Sequence, residues 1–354
     1  MRPWLRWTVA ALMGLAAVCL AALWWLRAEL ARPHAIPGEV VVEVRAGWTA
    51  RQILEHLESR DVIADATLAR AWLVYGLGDP PLQAGEYGFD GAMTIDQVLG
   101  RLVRGEVVTR PVTIPEGLTL DETAEALAAQ GFGDLDLLRA AVRDPAPIVD
   151  LDPEAEDLEG YLFPETYHFP RGVTEEEVIA KLVATFRAHW ATQVRPRLAD
   201  PSAGLREIVT LASIVEKESF LDEERPTIAG VYAHRLRRGI ALYADPTIIY
   251  ALKRAGTWDG DLRRRDLTME SPYNTYRNPG LPPGPICSPG LASLLAAAEP
   301  PEVPYLYFVS RNDGSHVFAE TLADHNRNVE AWQRRYWRER EHEEDVDAAE
   351  TDGR

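Results

Sequence analysis

The sequence predicts an α+β chain with a single N-terminal transmembrane helix, a small α/β module and a larger mixed α/β domain. Three observations carry this. An uncharged run of twenty residues opens the chain, strand–turn–helix patterns recur after it, and amphipathic helices with a terminal hairpin fill the second half. The 354 residues exceed what one hydrophobic core usually holds, and 46% hydrophobic with 26% charged residues describe a mostly globular chain.

The uncharged run is Trp7–Leu26, bracketed by Arg6 and Arg27. At 1.5 Å per residue it crosses about 30 Å of hydrocarbon. Trp4, Trp7, Trp24 and Trp25 fall at its ends, where amphipathic rings prefer the interface, and Arg2 and Arg6 favour a cytoplasmic N-terminus. Residues 1–6 are thus read as cytoplasmic and 7–26 as a retained anchor. The run is longer than the apolar core of a cleaved signal, and Val18 stands where a lipoprotein signal before Cys19 needs a small residue.

Residues 38–143 form the small module. In 40–60, VVVEVRAGWTARQILEHLESR, an alternating strand is followed by a turn at Gly47 and a helix capped by Thr49, with Ile53, Leu54 and Leu57 on one face. The pattern returns in 112–130, where Gly117, Thr119 and Leu127 match Gly47, Thr49 and Leu57, and Thr119 with Glu122 makes a capping box. A fainter copy starts at Met93. The spacing resembles LysM-type glycan-binding units, and a plain spacer fits it equally well.

A Pro- and acid-rich stretch, 144–157, reads as a linker before a second domain at 157–335. There, Thr174 and Glu177 cap a helix with Val178, Ile179, Leu182, Val183, Phe186 and Trp190 inward. A helix over about 204–219 follows, then one ending at Gly239, then one that Asp245 caps with Pro246 in its first turn. The 305–309 segment pairs with 316–320 across the turn at Asn312-Asp313-Gly314. Residues 336–354, with eight acids between 339 and 352, read as a disordered acidic tail.

A net charge of −18 argues against a nucleic-acid partner. Two cysteines, Cys19 and Cys287, build neither a disulfide framework nor a four-cysteine zinc site, and no HExxH, P-loop, GxGxxG or GxSxG motif occurs. No metal or cofactor is called for. The helix LREIVTLASIVEKES at 205–219 is more informative. Leu205, Ile208, Val209, Leu211, Ala212 and Val215 make its core stripe, with Glu216 and Glu218 on the two borders and Lys217 pointing away. Desolvation and the negative end of the helix dipole both raise the pKa of such a carboxyl toward the range of a general acid. The plainer reading is a surface pair bonded to Arg235 or Arg237.

Six blocks in one order resemble a known family: LEGYLFPETY at 158–167, LASIVEKES at 211–219, ERPTIAGVYAHRL at 224–236, DPTIIYAL at 245–252, SPYNTYRNPGLPPGPICSPG at 271–290 and PYLYFVSRNDGSHVFAETLADHN at 304–326. They resemble the membrane-anchored endolytic murein transglycosylases, the MltG or YceG-like family, over roughly residues 38–330. The resemblance implies lytic cleavage of the MurNAc-β-1,4-GlcNAc bond in nascent peptidoglycan strands, leaving 1,6-anhydroMurNAc ends. It places the single catalytic acid/base on Glu218, with Glu216 as runner-up. Ser219, Tyr273, Asn274, Tyr276, Glu159, Tyr161 and Glu165 are the substrate-binding candidates it suggests. Structural readings stand beside them: a Pro-Tyr-Asn-Thr turn for 272–275 and a hydrogen-bonded corner for 159–167. The expected setting is the inner membrane, with the C-terminal domain in the periplasm and peptidoglycan synthases as candidate partners. The alternative is a non-catalytic, membrane-anchored peptidoglycan-binding scaffold of the cell-wall synthesis complex.

Overall fold

The computed structural model describes residues 3–335, so the predicted acidic tail lies outside the described residues, as do the side chains of 3–11, 19, 22, 23 and 335. The fold is mixed α/β. The chain divides into two compact units: the first runs to Pro111 and includes His168–Gly172, and the second holds Val112–Tyr167 and continues from Val173.

Unit 1 contains α1 (Pro3–Leu30), β1 (His34–Ala35), β2 (Val40–Val44), α2 (Ala50–Ser59), α3 (Ala66–Tyr75), β3 (Gly85–Phe89), β4 (Ala92–Met93) and α4 (Ile95–Arg104). Helix α1 covers the predicted anchor and leaves Leu12, Leu15, Val18, Leu20, Trp24 and Trp25 exposed. Among the described residues no helix is long and apolar enough to cross a membrane; the side chains of 7–11, 19, 22 and 23, inside the predicted span, lie outside that set. Strand β2 pairs antiparallel with β3, placing Val42 opposite Tyr87. Because side chains alternate across a strand, Val42, Val44, Tyr87 and Phe89 all enter the core, against Ile53, Leu54 and Leu57 of α2. Full burial of each such side chain contributes about 1.5–3 kcal/mol. Thr49 caps α2 as expected, and Gln52 completes the box. Thr94 and Gln97 do the same for α4, the fainter copy of the pattern.

Strands β5 (Thr109–Thr113) and β6 (Thr166–Pro170) lie where the chain passes from one unit to the other. Unit 2 holds α5 (Leu120–Ala129), α6 (Leu135–Val142), α7 (Glu175–His189), α8 (Leu205–Glu218), α9 (Arg225–Arg237), α10 (Asp245–Arg254), α11 (Leu291–Ala298), β7 (Tyr307–Ser310), β8 (His316–Ala319) and α12 (Leu322–Val329). Capping boxes at Thr119–Glu122 and Thr174–Glu177 start α5 and α7. Residues 190–194 then continue α7 as a π-helical turn. Strands β7 and β8 form the expected hairpin, Ser310 opposite His316, around a turn with Asn312 in the left-handed region.

Helix α8 is the central rod of unit 2. Its predicted stripe is buried, but so are Thr210, Ser213 and Ile214, so the middle of the helix is enclosed on nearly every side. Ser213 tolerates this because its hydroxyl donates to Thr210 O and accepts from Ile286 N at 3.0 Å. The Cys287 thiol donates to Ser213 O at 3.4 Å. The 271–290 block therefore closes over α8. Gly160 shows how tightly the 158–163 segment joins it. With φ +86°, a Cβ there would stand 2.5 Å from Pro285 and 2.9 Å from Val209, closer than any side chain can pack.

Candidate active site

Glu216 and Glu218 part company at the end of α8. Glu216 is enclosed: one oxygen accepts from Arg225 Nη2 at 3.2 Å, and the other accepts from Gly290 N at 3.0 Å and Ser293 Oγ at 2.7 Å. It joins α8 to the start of α9 and caps the N-terminus of α11, so both its oxygens are engaged in structure. The ion-pair partner is Arg225, which corrects the expectation of Arg235 or Arg237.

Glu218, the last residue of α8, opens instead on a cavity of about 930 Å³. Helix α9 contributes Tyr232, whose hydroxyl donates to Glu218 Oε1 at 3.0 Å. The hairpin supplies Tyr307, Phe308 and His316, and Tyr243, Asp245 and Tyr276 stand on the 243–245 corner and the 271–290 block. Burial pushes the Glu218 carboxyl up to about 7, against the lowering effect of the Tyr232 hydrogen bond, and the charge of Asp245 adds to the rise. Near neutral pH this carboxyl is poised to give and take a proton.

The surroundings of Glu218 are held by few, well-placed contacts. Tyr276 OH donates to Asp245 Oδ1 at 2.5 Å. Asp245 thus sits in the first turn of α10 and faces the cavity, and Ala244 is the residue at the N-cap, which corrects the expectation of an Asp245 cap. Tyr243 adopts φ +51°, a left-handed conformation that costs a non-glycine residue about 1–2 kcal/mol. The strained backbone turns its ring toward Tyr276, with centroids 5.2 Å apart. Glu224 accepts from His316 N at 3.0 Å and contacts His316 Nδ1 at 2.7 Å, tying β8 to the start of α9.

The candidate residues divide among several places. Tyr276 lines the Glu218 cavity, and Ser219 follows Glu218 as the C-cap of α8, its buried Oγ without a hydrogen-bond partner among the described residues. Tyr273, Glu159 and Tyr161 line a different cavity of about 560 Å³. There Tyr161 OH donates to Asp152 at 2.5 Å, and Tyr273 packs on Tyr250 at 4.9 Å. Burial raises Glu159 to about 8, but its carboxyl is enclosed and accepts from Leu120 N at 3.1 Å, at the start of α5. Asn274 lines neither cavity. Fully buried, its Nδ2 donates to Leu267 O and Met269 O while Oδ1 accepts from Tyr276 N, so its amide holds its own loop closed and no group is left for a sugar. Glu165 is exposed and away from both cavities.

Tyr232, Asp245, Arg235 and the hairpin aromatics are the residues that sequence reasoning missed. One signal was available: Tyr232 and Arg235 are three apart, so two polar-tipped side chains share the inward face of α9.

The model of the YceG-like family matches residues 42–331. The chain belongs to the YceG-like family. A relative from Bacillus subtilis (strain 168), named endolytic murein transglycosylase, is 31% identical over 308 residues, covering 83% of this chain and 84% of that protein. A protein of the same name from Streptococcus pneumoniae serotype 2 (strain D39) is 30% identical over 320 residues, covering 82% of this chain but 58% of that longer protein. The crystal structure of a YceG-like protein from Listeria monocytogenes, 34% identical, superposes with a TM-score of 0.55 over 82% of this chain and 98% of that one. The six blocks that carried the resemblance all lie in, or within, the stretch that the family model spans.

Proposed function

We propose that this YceG-like chain is a lytic transglycosylase of peptidoglycan, cutting the MurNAc-β-1,4-GlcNAc bond of glycan strands and leaving 1,6-anhydroMurNAc ends, with Glu218 as its single general acid/base. The names of the relatives support the reaction class and the polymer. The observation that carries the residue assignment is a carboxyl near pH 7 on the wall of an aromatic-lined cavity, hydrogen-bonded to a phenol.

The chemistry needs one proton donor. Protonated Glu218 gives its proton to the bridging oxygen as the bond from C1 breaks, and positive charge develops on the MurNAc ring. The carboxylate left behind then takes the proton of the sugar's 6-hydroxyl as that oxygen attacks C1. The proton count closes without water. Conventional glycosidases differ in needing a second carboxylate and water. The 2-acetamido group of the substrate and the nearby carboxylate of Asp245 are the candidates for steadying the developing charge.

The anchor belongs to the same proposal. It is supported by the uncharged run between Arg6 and Arg27, its flanking tryptophans, and the exposed apolar side chains of α1. It puts the chain in the inner membrane with unit 2 in the periplasm, acting on strands close to the bilayer. Unit 1 then serves as a spacer or, on the LysM-like reading, as a second glycan contact.

Full-length protein in detergent, incubated with purified sacculi, tests this by mass spectrometry of the released ends. Anhydro products that disappear in Glu218→Gln are expected. Ends about 18 Da heavier would mean hydrolysis, and binding without release would mean a scaffold.

A further inference from the structure

Unit 2 buries two arginines on α9 and treats them differently. Arg225, 7% exposed, is surrounded by acids: Glu216, Glu116 and Asp222. Arg235 is equally buried but has no carboxylate within ion-pair reach among the described residues. The guanidinium's one hydrogen bond among the described residues runs from Nη1 to Leu242 O at 2.9 Å, leaving Nε and Nη2 without partners in that set. The rings of Tyr243 and Tyr307 hold the guanidinium from two directions, at 5.3 and 5.5 Å. It lines the cavity that contains Glu218.

The acids of that cavity do not fill the gap. Glu218 and Asp245 are bonded to the phenols of Tyr232 and Tyr276. His325 adds a second unsatisfied group: it stacks on Tyr307 at 5.2 Å, and its buried Nδ1 has no partner among the described residues. Burial and the Arg235 charge both push this imidazole toward its neutral form, leaving an N–H that can donate. A buried guanidinium without a counter-ion is costly unless a ligand supplies one. Its fork matches a carboxylate in two parallel hydrogen bonds.

We propose that Arg235, with His325 beside it, forms a carboxylate-binding subsite in the Glu218 cavity that takes an acid group carried by the glycan strand. The inference rests on the transglycosylase reading. Two sources share this chemistry: the carboxylates of the stem peptide, and the lactyl carboxylate of a MurNAc that has lost its peptide. The subsite sets which strands bind; Glu218 does the proton transfer.

The test compares three substrates on the full-length protein in detergent: native uncross-linked strands, the same strands with carboxyls amidated by carbodiimide and ammonia, and strands stripped of peptide by an amidase. For wild type, a strand that offers the recognised carboxylate should have a KM about tenfold to a hundredfold below one that lacks it, the range of a charge-assisted hydrogen-bonded pair, with kcat within about twofold. Arg235→Gln should bind native and amidated strands alike, and Arg235→Lys should recover only part of the difference, since lysine keeps the charge without the fork. Native strands that bind more tightly than both other substrates assign the stem, and stripped strands that alone bind more tightly assign the lactyl group, whose carboxyl is an amide as long as the peptide is attached. Equal KM for all three substrates on wild type overturns the subsite, and needs no variant to fold. Binding of the same strands to Glu218→Gln separates the two readings: a preference for native strands without any cleavage by wild type sinks the transglycosylase and keeps the carboxylate site.

Discussion

Replacing Glu218 by glutamine should make the protein more stable at alkaline pH than the wild type. The folded carboxyl sits at about 7 against an ordinary value of 4.5. At 1.36 kcal/mol per pH unit, ionising it inside the fold costs about 3 kcal/mol, an upper figure because the side chain is only half-buried. The sign follows from the raised value. Below pH 4.5 the proton is bound in both states and the contribution is complete; it is lost as pH rises toward and through about 7. Glutamine has nearly the shape of the protonated acid, can accept from the Tyr232 hydroxyl, and never ionises. Urea unfolding of both proteins across pH 5 to 8.5 checks this. The two should differ little at the acid end, and the variant should gain about 1–3 kcal/mol at the alkaline end while losing activity. A wild type whose stability relative to the variant is flat, or rises, across that range refutes the claim of a neutral carboxyl in the site.

If Glu218 is the proton donor proposed above, wild-type kcat/KM on glycan strands should fall above about pH 7 as that carboxyl loses its proton. Tyr232→Phe removes a bond that favours the anion, so this alkaline limb should move up; a bond worth about 1 kcal/mol corresponds to about 0.7 of a pH unit. Asp245→Asn removes a neighbouring negative charge and should move the limb down, which a pH–rate profile reads directly. Glu216→Ala leaves Arg225 and the start of α11 without their partner and should cost about 3–5 kcal/mol in urea unfolding while the pH limb of the folded fraction stays in place. Gly160→Ala should cost about 2 kcal/mol or more by the same assay, because Pro285 and Val209 block the added carbon.

Much of the local structure was legible because it is written in short-range chemistry. Threonine followed three residues later by glutamate marks the starts of α5 and α7, and the apolar spacing of 205–215 marks the buried side of α8. The border position of Glu218 and the direction of its pKa shift also follow from helix geometry and the dipole alone. What could not be read depends on partners far along the chain. Asp245-Pro246-Thr247 looks like a capped helix start, and only Tyr276, thirty-one residues on, turns the carboxylate into the cavity. Asn274 has the chemistry of an acetamido contact, but its loop uses the amide completely. Tyr161 and Glu159 share a block with Tyr167, and their hydroxyl and carboxyl are taken up by Asp152 and by the start of α5.

The difference between Glu216 and Glu218 comes down to the donor each one meets on α9. Arg225 and Tyr232 are seven residues apart, two turns along one side of that helix, and each reaches one glutamate of α8. A guanidinium only donates, and together with Gly290 N and Ser293 Oγ it engages both oxygens of Glu216, so that carboxyl is committed to the fold. A phenol binds either form of a carboxyl, donating to the anion or to the carbonyl oxygen of the acid, so the Glu218 proton can leave and return without breaking the contact. Arginine in place of Tyr232 would hold Glu218 ionised, and a transglycosylase built that way would bind its strand with nothing to protonate the leaving oxygen.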